Sequence, residues 1–263
     1  VSTLEYANVS VRYGHGAGAH LAVQDVDLTV RSGRVHGLVG ESGSGKSTLA
    51  AAAVGLVRPA AGTIRLDGVD IVGSSASVRA TRRRVQMIFQ DPFSALDPRM
   101  PIGESIAEGM RATGRRPARA ERTRRVKELL ELVHIDPARA GEPPGAFSGG
   151  QCQRVTIARA LAAEPDVVIA DEITSALDVS VQGVVLNLLR ELQAELKLTI
   201  LFISHNLAVV RYMCDTVSVM RQGRIVESGA TESVLSAPSH PYTRELLAAV
   251  PVMGERFDWE KAT

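Results

Sequence analysis

Gly40-Glu41-Ser42-Gly43-Ser44-Gly45-Lys46-Ser47-Thr48 decides how this chain is read. It satisfies the spacing G-x-x-x-x-G-K-[ST] of a phosphate-binding loop. The apolar run Val35-His36-Gly37-Leu38-Val39 before it reads as a buried strand, and Leu49 to Val54 after it as a helix. That context is what the loop needs. Consecutive backbone N–H groups can then curl around phosphate oxygens at a helix N-terminus carrying partial positive charge. Gly40, Gly43 and Gly45 permit the turn, Ser42 and Thr48 complete the cradle, Lys46 can reach β- and γ-phosphates, and the Ser47 hydroxyl can ligate Mg²⁺. The stretch predicts a nucleoside triphosphate site.

Outward from the loop, Val26-Asp27-Leu28-Thr29-Val30 alternates, so the first thirty residues read as half-buried antiparallel strands. Downstream, Thr63–Leu66 reads as a short strand, Asp67-Gly68 as a turn and Val85–Phe89 as a strand, before Asp91-Pro92 and Asp97-Pro98 break the pattern. From Ile102 to about Leu161 the apolar spacing is helical, as in Val126 to Val133, which marks an inserted helical subdomain. Val167-Val168-Ile169-Ala170 and Thr199-Ile200-Leu201-Phe202-Ile203 are short, apolar and rich in β-branched residues, as parallel strands covered on both faces should be. A helix from Ser180 to Lys197 makes the crossover between them.

With 263 residues, 45% of them apolar, the chain is long enough for one large α/β domain with a subdomain. A net charge of +1 gives no global attraction to nucleic acid. No apolar run reaches the roughly 18 residues of a membrane span, and no charged–apolar–small leader opens the chain, so a cytosolic location is expected. Val1 in place of Met points to a piece of a longer protein. Cys152 and Cys214 lie too far apart for a metal or disulfide motif, and Cys214, in Tyr212-Met213-Cys214, reads as a small buried hydrophobe. The one tryptophan, Trp259, sits near the end. Between Arg111 and Arg125 an arginine cluster (Arg115, Arg116, Arg119, Arg122 and Arg124 among them) reads as a solvated helical surface, with a docking face for an anionic partner or lipid headgroups as the alternative.

Two further stretches carry chemistry. Asp166-Val167-Val168-Ile169-Ala170-Asp171-Glu172 is an apolar strand ending in two carboxylates. After a phosphate loop, Asp171 suits a Mg²⁺ role, and Glu172 projects where it could polarise an attacking water. Phe147-Ser148-Gly149-Gly150-Gln151 precedes a helix read as beginning at Cys152. Simple capping by Ser148 explains it, yet the same hydroxyl and N–H groups also make an anion site.

Taken in order, these stretches resemble the nucleotide-binding ATPase subunit of an ABC transporter, over nearly the whole chain. Gln90 matches the family's Q-loop, Phe147–Gln151 its LSGGQ signature, Ser175-Ala176-Leu177-Asp178 its D-loop and His205 its H-loop, beside the phosphate loop and the Asp171-Glu172 pair. The fold the resemblance implies is α/β: a phosphate-loop (RecA-like) nucleotide-binding core with an N-terminal antiparallel β-subdomain and an inserted α-helical subdomain. The expected division is one ATPase domain over 1–263, with 1–90 as β-subdomain and loop core, 91–162 helical, 163–230 catalytic and 231–263 a C-terminal tail.

The implied ligands are ATP and Mg²⁺. Lys46 would hold phosphate, Ser47, Gln90 and Asp171 would surround the metal, Glu172 would activate water, and His205 would contact the γ-phosphate. Tyr13, in Val11-Arg12-Tyr13-Gly14, would stack on adenine. A surface aromatic and a buried structural imidazole are the plainer readings of Tyr13 and His205. Ser148, Gly149, Gly150, Gln151 and Asp178 would meet ATP held by a second ATPase subunit, identical or sister, arranged head to tail. The implied partners are that subunit, two membrane permease subunits and an extracytoplasmic solute-binding protein, with no nucleic acid. The implied location is peripheral, on the cytoplasmic face of the membrane.

Three positions depart from the family pattern: Phe147 for Leu, Cys152 after the signature glutamine, where trans contacts could weaken, and Ile173 for Pro after the catalytic Glu. Gln90-Asp91-Pro92-Phe93-Ser94-Ala95-Leu96-Asp97-Pro98-Arg99-Met100 and Ser239-His240-Pro241-Tyr242-Thr243 through Pro251 resemble peptide and nickel importer ATPases. The tail also reads as an ordinary helix capped by Thr243, with Leu246, Leu247 and Val250 packing. No cysteine follows Cys214, so no iron–sulfur cluster is expected. The expected activity is ATP hydrolysis driving import of oligopeptides or dipeptides. The alternatives are an importer ATPase for nickel or another small solute, a soluble ABC ATPase not coupled to transport, and a module that binds ATP without hydrolysis.

Overall fold

The alternating N-terminal residues and the buried apolar runs separate into two sheets in the computed structural model, which describes residues 2–14, 19–114 and 117–249. Val1, Arg115, Arg116, Val250, Pro251 and Trp259 lie outside the described residues. The strands are β1 (Leu4–Tyr13), β2 (His20–Val30), β3 (Val35–Val39), β4 (Ala61–Leu66), β5 (Val69–Asp70), β6 (Val85–Ile88), β7 (Val167–Asp171), β8 (Thr199–Ile203), β9 (Thr216–Arg221) and β10 (Arg224–Ala230). One sheet has the order β2-β1-β4-β5, with antiparallel pairing throughout. The other has the order β10-β9-β3-β8-β7-β6, parallel except for the β9–β10 hairpin.

The parallel strands are mostly apolar because both faces are covered. Successive side chains point to opposite faces, and they join two separate cores. Val168, Ala170, Ile200 and Phe202 pack with the helical insertion. Val167, Ile169, Leu201 and Ile203 pack with the antiparallel sheet. Helix α1 (Lys46–Ala53) belongs to the second core through Leu49, Ala50, Ala52 and Ala53. Three alanines keep it slim enough to lie between the sheets. Leu49 is fully buried, and truncating it to Ala would cost about 2–5 kcal/mol.

After α1 come α2 (Ala76–Arg82), α3 (Pro92–Ala95), α4 (Ile102–Gly109), α5 (Arg119–Leu132), α6 (Gly149–Leu161) and the crossover α7 (Val179–Leu196), then α8 (Leu207–Met213), α9 (Thr231–Ser236) and α10 (Pro241–Ala248). The insertion packs Ile102, Ile106, Leu129, Leu130, Val155 and Ile157 into one apolar mass. The arginine-rich face stays at its surface, where Arg122 pairs with Glu104, and Arg124 and Arg125 with Glu128. No helix among the described residues is long and apolar enough to cross a membrane.

Two expectations need correction. Helix α6 begins at Gly149, not Cys152, because the Ser148 hydroxyl accepts a hydrogen bond from Gln151 N–H and starts the helix there. Helix α10 is capped by His240, whose Nδ1 accepts from Tyr242 N–H, with Pro241 at its first position; Thr243 is a fully buried interior residue. Proline suits that position because its missing N–H would have no partner there in any case.

Candidate active site

The loop between β3 and α1 is pressed against its supports. Gly40 has φ +151, and a Cβ there would stand 2.1 Å from the Met220 carbonyl oxygen. Gly45 has φ +105, and its Cβ would stand 2.4 Å from the Ala22 carbonyl oxygen. Only glycine fits either place. The Gly223 N–H donates to the Ser44 carbonyl at 2.9 Å, so the β9–β10 turn also braces the loop. Gly43, also at positive φ, has open space around it.

Lys46 is buried and folded onto the loop itself. Its Nζ donates to the carbonyls of Gly40 and Glu41, both at 2.8 Å, and to Ser44 Oγ at 3.4 Å. Burial lowers its pKa, with Glu172, Asp171 and Glu41 opposing that shift. Ser47 Oγ donates to Asp171 Oδ1 at 3.1 Å across the gap between α1 and β7. Burial raises the Asp171 carboxyl, Glu172 adds to the rise, and Ser47 and Lys46 oppose it. Both shifts have one origin, charge held away from water, where each remaining electrostatic contact is stronger.

At the end of β7 the backbone turns into the left-handed region, with Glu172 at φ +48 and its N–H donating to the Ile203 carbonyl at 3.0 Å. Such a conformation is uncommon for a residue with a side chain. Glu172 Oε2 lies 3.3 Å from Nδ1 of His205, which follows β8. Gln90 Nε2 donates to Ser175 Oγ at 3.0 Å, and Ser175 Oγ donates to the Glu172 carbonyl at 2.9 Å. Tyr13 is 44% exposed, with its hydroxyl 3.5 Å from Thr48 Oγ1. Loop, Asp171, Glu172 and His205 thus meet at the C-terminal edge of the parallel strands, where ligands bind in open α/β sheets. Ser175, the first residue of the D-loop match, ties Gln90 to Glu172, a contact that only the folded chain makes.

The Ser148 segment forms a second, separate feature. Ser148 Oγ accepts from Gln151 N–H at 3.4 Å while Gln151 Oε1 accepts from Ser148 N–H at 2.9 Å, a reciprocal capping box. No hydrogen bond among the described residues joins Ser148–Gln151 to the Gly40–Thr48 loop. A Cβ on Gly150 would meet Val181 Cγ1 at 2.2 Å, so the segment sits tightly on the start of α7. Asp178 occupies the N-cap position of that helix without a side-chain cap.

The three departures find physical places. Phe147 is buried under the Arg139 guanidinium, 3.9 Å from its ring centroid, and Ile173 is buried. Cys152 is fully buried with Sγ 3.4 Å from the Pro144 carbonyl oxygen, so it faces the helical core and has no side chain to offer a trans contact. Cys214 is buried, as read.

A glycine-rich loop with its lysine, a Ser–Asp pair and a Glu–His pair at one sheet edge define a phosphate-loop nucleotide hydrolase, and α4 to α6 set it apart within that class. The chain belongs to the ABC transporter family: the profile described as "ABC transporter" matches residues 23–175, and that of "Oligopeptide/dipeptide transporter, C-terminal region" matches 226–262. A Brucella ovis protein named "Putative peptide import ATP-binding protein" is 51% identical over 230 residues, 87% of this chain and 72% of its own. A second such protein, from Brucella abortus, is 49% identical over 232 residues, 88% of this chain and 69% of its own. Among solved structures, a dimeric ATP-binding cassette bound to ADP and Pi superposes with a TM-score of 0.77 at 27% identity, covering 87% of this chain and 98% of that one. The cbiO1 protein of Clostridium perfringens, part of the ABC transporter complex cbiONQ, superposes with 0.78 at 29% identity, covering 94% and 95%. The chain is an ATPase of this family.

Proposed function

We propose that the chain powers an importer of oligopeptides or dipeptides, as one of two ATPase subunits docked on two membrane permease subunits at the cytoplasmic face and supplied by an extracytoplasmic solute-binding protein. The names of its relatives and the match over 226–262 support the solute class. The observation that carries the catalytic reading is the convergence of Lys46, Ser47–Asp171 and Glu172–His205 at one sheet edge.

Lys46 and the loop N–H groups bind the β- and γ-phosphates of ATP, and Tyr13 lies beside Thr48 where it can cover the base. Ser47 and Asp171, 3.1 Å apart, fit as holders of Mg²⁺, and Gln90, held by Ser175, would complete the set. When bound, the ion neutralises charge on the transferring phosphoryl group. Glu172 orients the attacking water and takes its proton on a carboxylate oxygen. His205, 3.3 Å from Oε2, holds that carboxylate in place and faces the γ-phosphate. Ser148–Gln151 and Asp178 meet the ATP of the partner subunit, so bound γ-phosphate stabilises a closed head-to-tail dimer and hydrolysis releases it. A cavity of about 530 Å³ beside Gln90, lined by Gln86, Met87, Phe89, Ser94 and Arg159, receives the permease.

The intact complex in vesicles tests this. Its ATP turnover should rise when the solute-binding protein carries a dipeptide, and Lys46→Ala in this chain should abolish the turnover and weaken ATP binding. Turnover near the wild-type rate with Lys46→Ala would remove the site assignment. Stimulation by a nickel-loaded but not a peptide-loaded binding protein would move the solute class.

A further inference from the structure

One brace of the phosphate loop comes from helix α10. Tyr242, in the first turn of α10, is 1% exposed, and its hydroxyl accepts a hydrogen bond from the Glu41 N–H at 3.1 Å. Its ring lies under the Arg221 guanidinium, 4.6 Å from the centroid. The segment before it is tied down as well. Glu227 on β10 accepts from Ser239 N–H at 2.8 Å, Ser239 Oγ at 2.7 Å and His240 N–H at 3.2 Å. Across the Glu41 residue, the carbonyl accepts from Lys46 Nζ at 2.8 Å. A chain of contacts therefore runs from Glu227 through Ser239-His240-Pro241-Tyr242 and the Glu41 backbone to the loop lysine.

We propose that Tyr242 is a positioning residue of the nucleotide site: by holding the Glu41 backbone it sets where Lys46 stands, so the His-Pro-Tyr segment at 240–242 tunes nucleotide affinity without touching nucleotide. The other two braces act on different parts of the loop: the β9 strand and Ala22 crowd Gly40 and Gly45, and Gly223 holds Ser44. None of them holds the Glu41 N–H. An ammonium group is a point charge on a four-carbon stem, and its placement depends on the acceptors that anchor it. Loosening the Glu41 peptide loosens one of the Lys46 anchors, and binding geometry suffers more than folding.

The inference rests on the Gly40–Thr48 loop as the nucleotide site. The wild-type chain must bind ATP; if it does not, that reading fails first. Given wild-type binding, Tyr242→Phe keeps the ring and the Arg221 stacking and deletes only the hydroxyl. It should weaken both ATP and ADP roughly fivefold and raise KM in step, with kcat nearly unchanged and the thermal midpoint lowered only modestly. A purely structural tyrosine would lower the midpoint and leave affinity alone. Glu227→Gln, which loosens Ser239 and His240, should weaken nucleotide in the same direction and add little on top of Tyr242→Phe, as residues in one chain of contacts do. Amide exchange in the wild type needs no variant: the Glu41 N–H should be protected beyond its neighbours in the loop. Affinities within twofold of wild type in both variants, or a Glu41 amide exchanging as fast as an open loop, would overturn the proposal.

Discussion

His36 is the residue at which sequence and environment disagree most. It interrupts an otherwise apolar strand, is 5% exposed, and satisfies both ring nitrogens with hydroxyls: Nδ1 on Thr216 Oγ1 at 2.8 Å and Nε2 on Ser218 Oγ at 2.9 Å. Two neutral hydroxyls do not repay a charge, and burial lowers its pKa from the usual 6.5 to about 4. The sign follows directly. Above pH 6.5 the ring is neutral in both folded and unfolded chains; between 6.5 and 4 only the unfolded chain takes up the proton. Stability is therefore full above pH 6.5 and falls toward pH 4, by on the order of 3 kcal/mol for this group. Denaturant melts at pH 7.5 and 4.5 should show His36→Gln losing less stability than wild type over that interval. Equal losses would mean that folded His36 takes up its proton as the unfolded chain does, and that burial does not lower its pKa.

At the scale of elements, a contiguous motif is legible where it stands, and contacts between motifs are not. The phosphate loop, the two buried strands after it and the Ser148 cap were each readable from a few adjacent residues, because glycine, β-branched residues and a capping serine act locally. The Tyr242–Glu41 contact joins residues 201 apart, and nothing near Tyr242 announces it. The start of α10 was misread for the same kind of reason: Thr243 is a good capping residue, but Pro241 at the first helical position shifts the cap back to His240. The start of α6 was placed late because Gly149 and Gly150 argue against helix on propensity, and the capping box overrides them. That box makes a testable claim about stability. Ser148→Ala should cost about 1 kcal/mol in denaturant melts of the isolated chain without nucleotide. No loss would mean that the hydroxyl is not engaged in the cap.

At the scale of the whole molecule, no hydrogen bond among the described residues joins the two halves of the inferred ATP contact. The Lys46 loop, Asp171, Glu172 and His205 gather at the sheet edge, whereas Ser148 starts a helix of the insertion with no hydrogen bond to the loop of its own chain. A second subunit turned head to tail would bring its Ser148 to this loop, and ATP would lie between them. Glu172→Gln tests that arrangement, because the amide keeps the shape of the side chain and removes the carboxylate proposed to take the proton from water. In that arrangement ATP would bind and persist, and by its differential affinity it would favour the closed dimer. Wild type would drain that state by hydrolysis; the variant would not. Light scattering of Glu172→Gln, alone or mixed with a sister ATPase, should show a dimer with ATP and none with ADP. Adding Ser148→Arg to the same chain should remove the dimer, since a bulky cation would displace the hydroxyl and N–H groups proposed to face the partner's phosphate. A Glu172→Gln chain that binds ATP yet stays monomeric in both settings would sink the head-to-tail arrangement, and Ser148 would keep only its place as a helix cap.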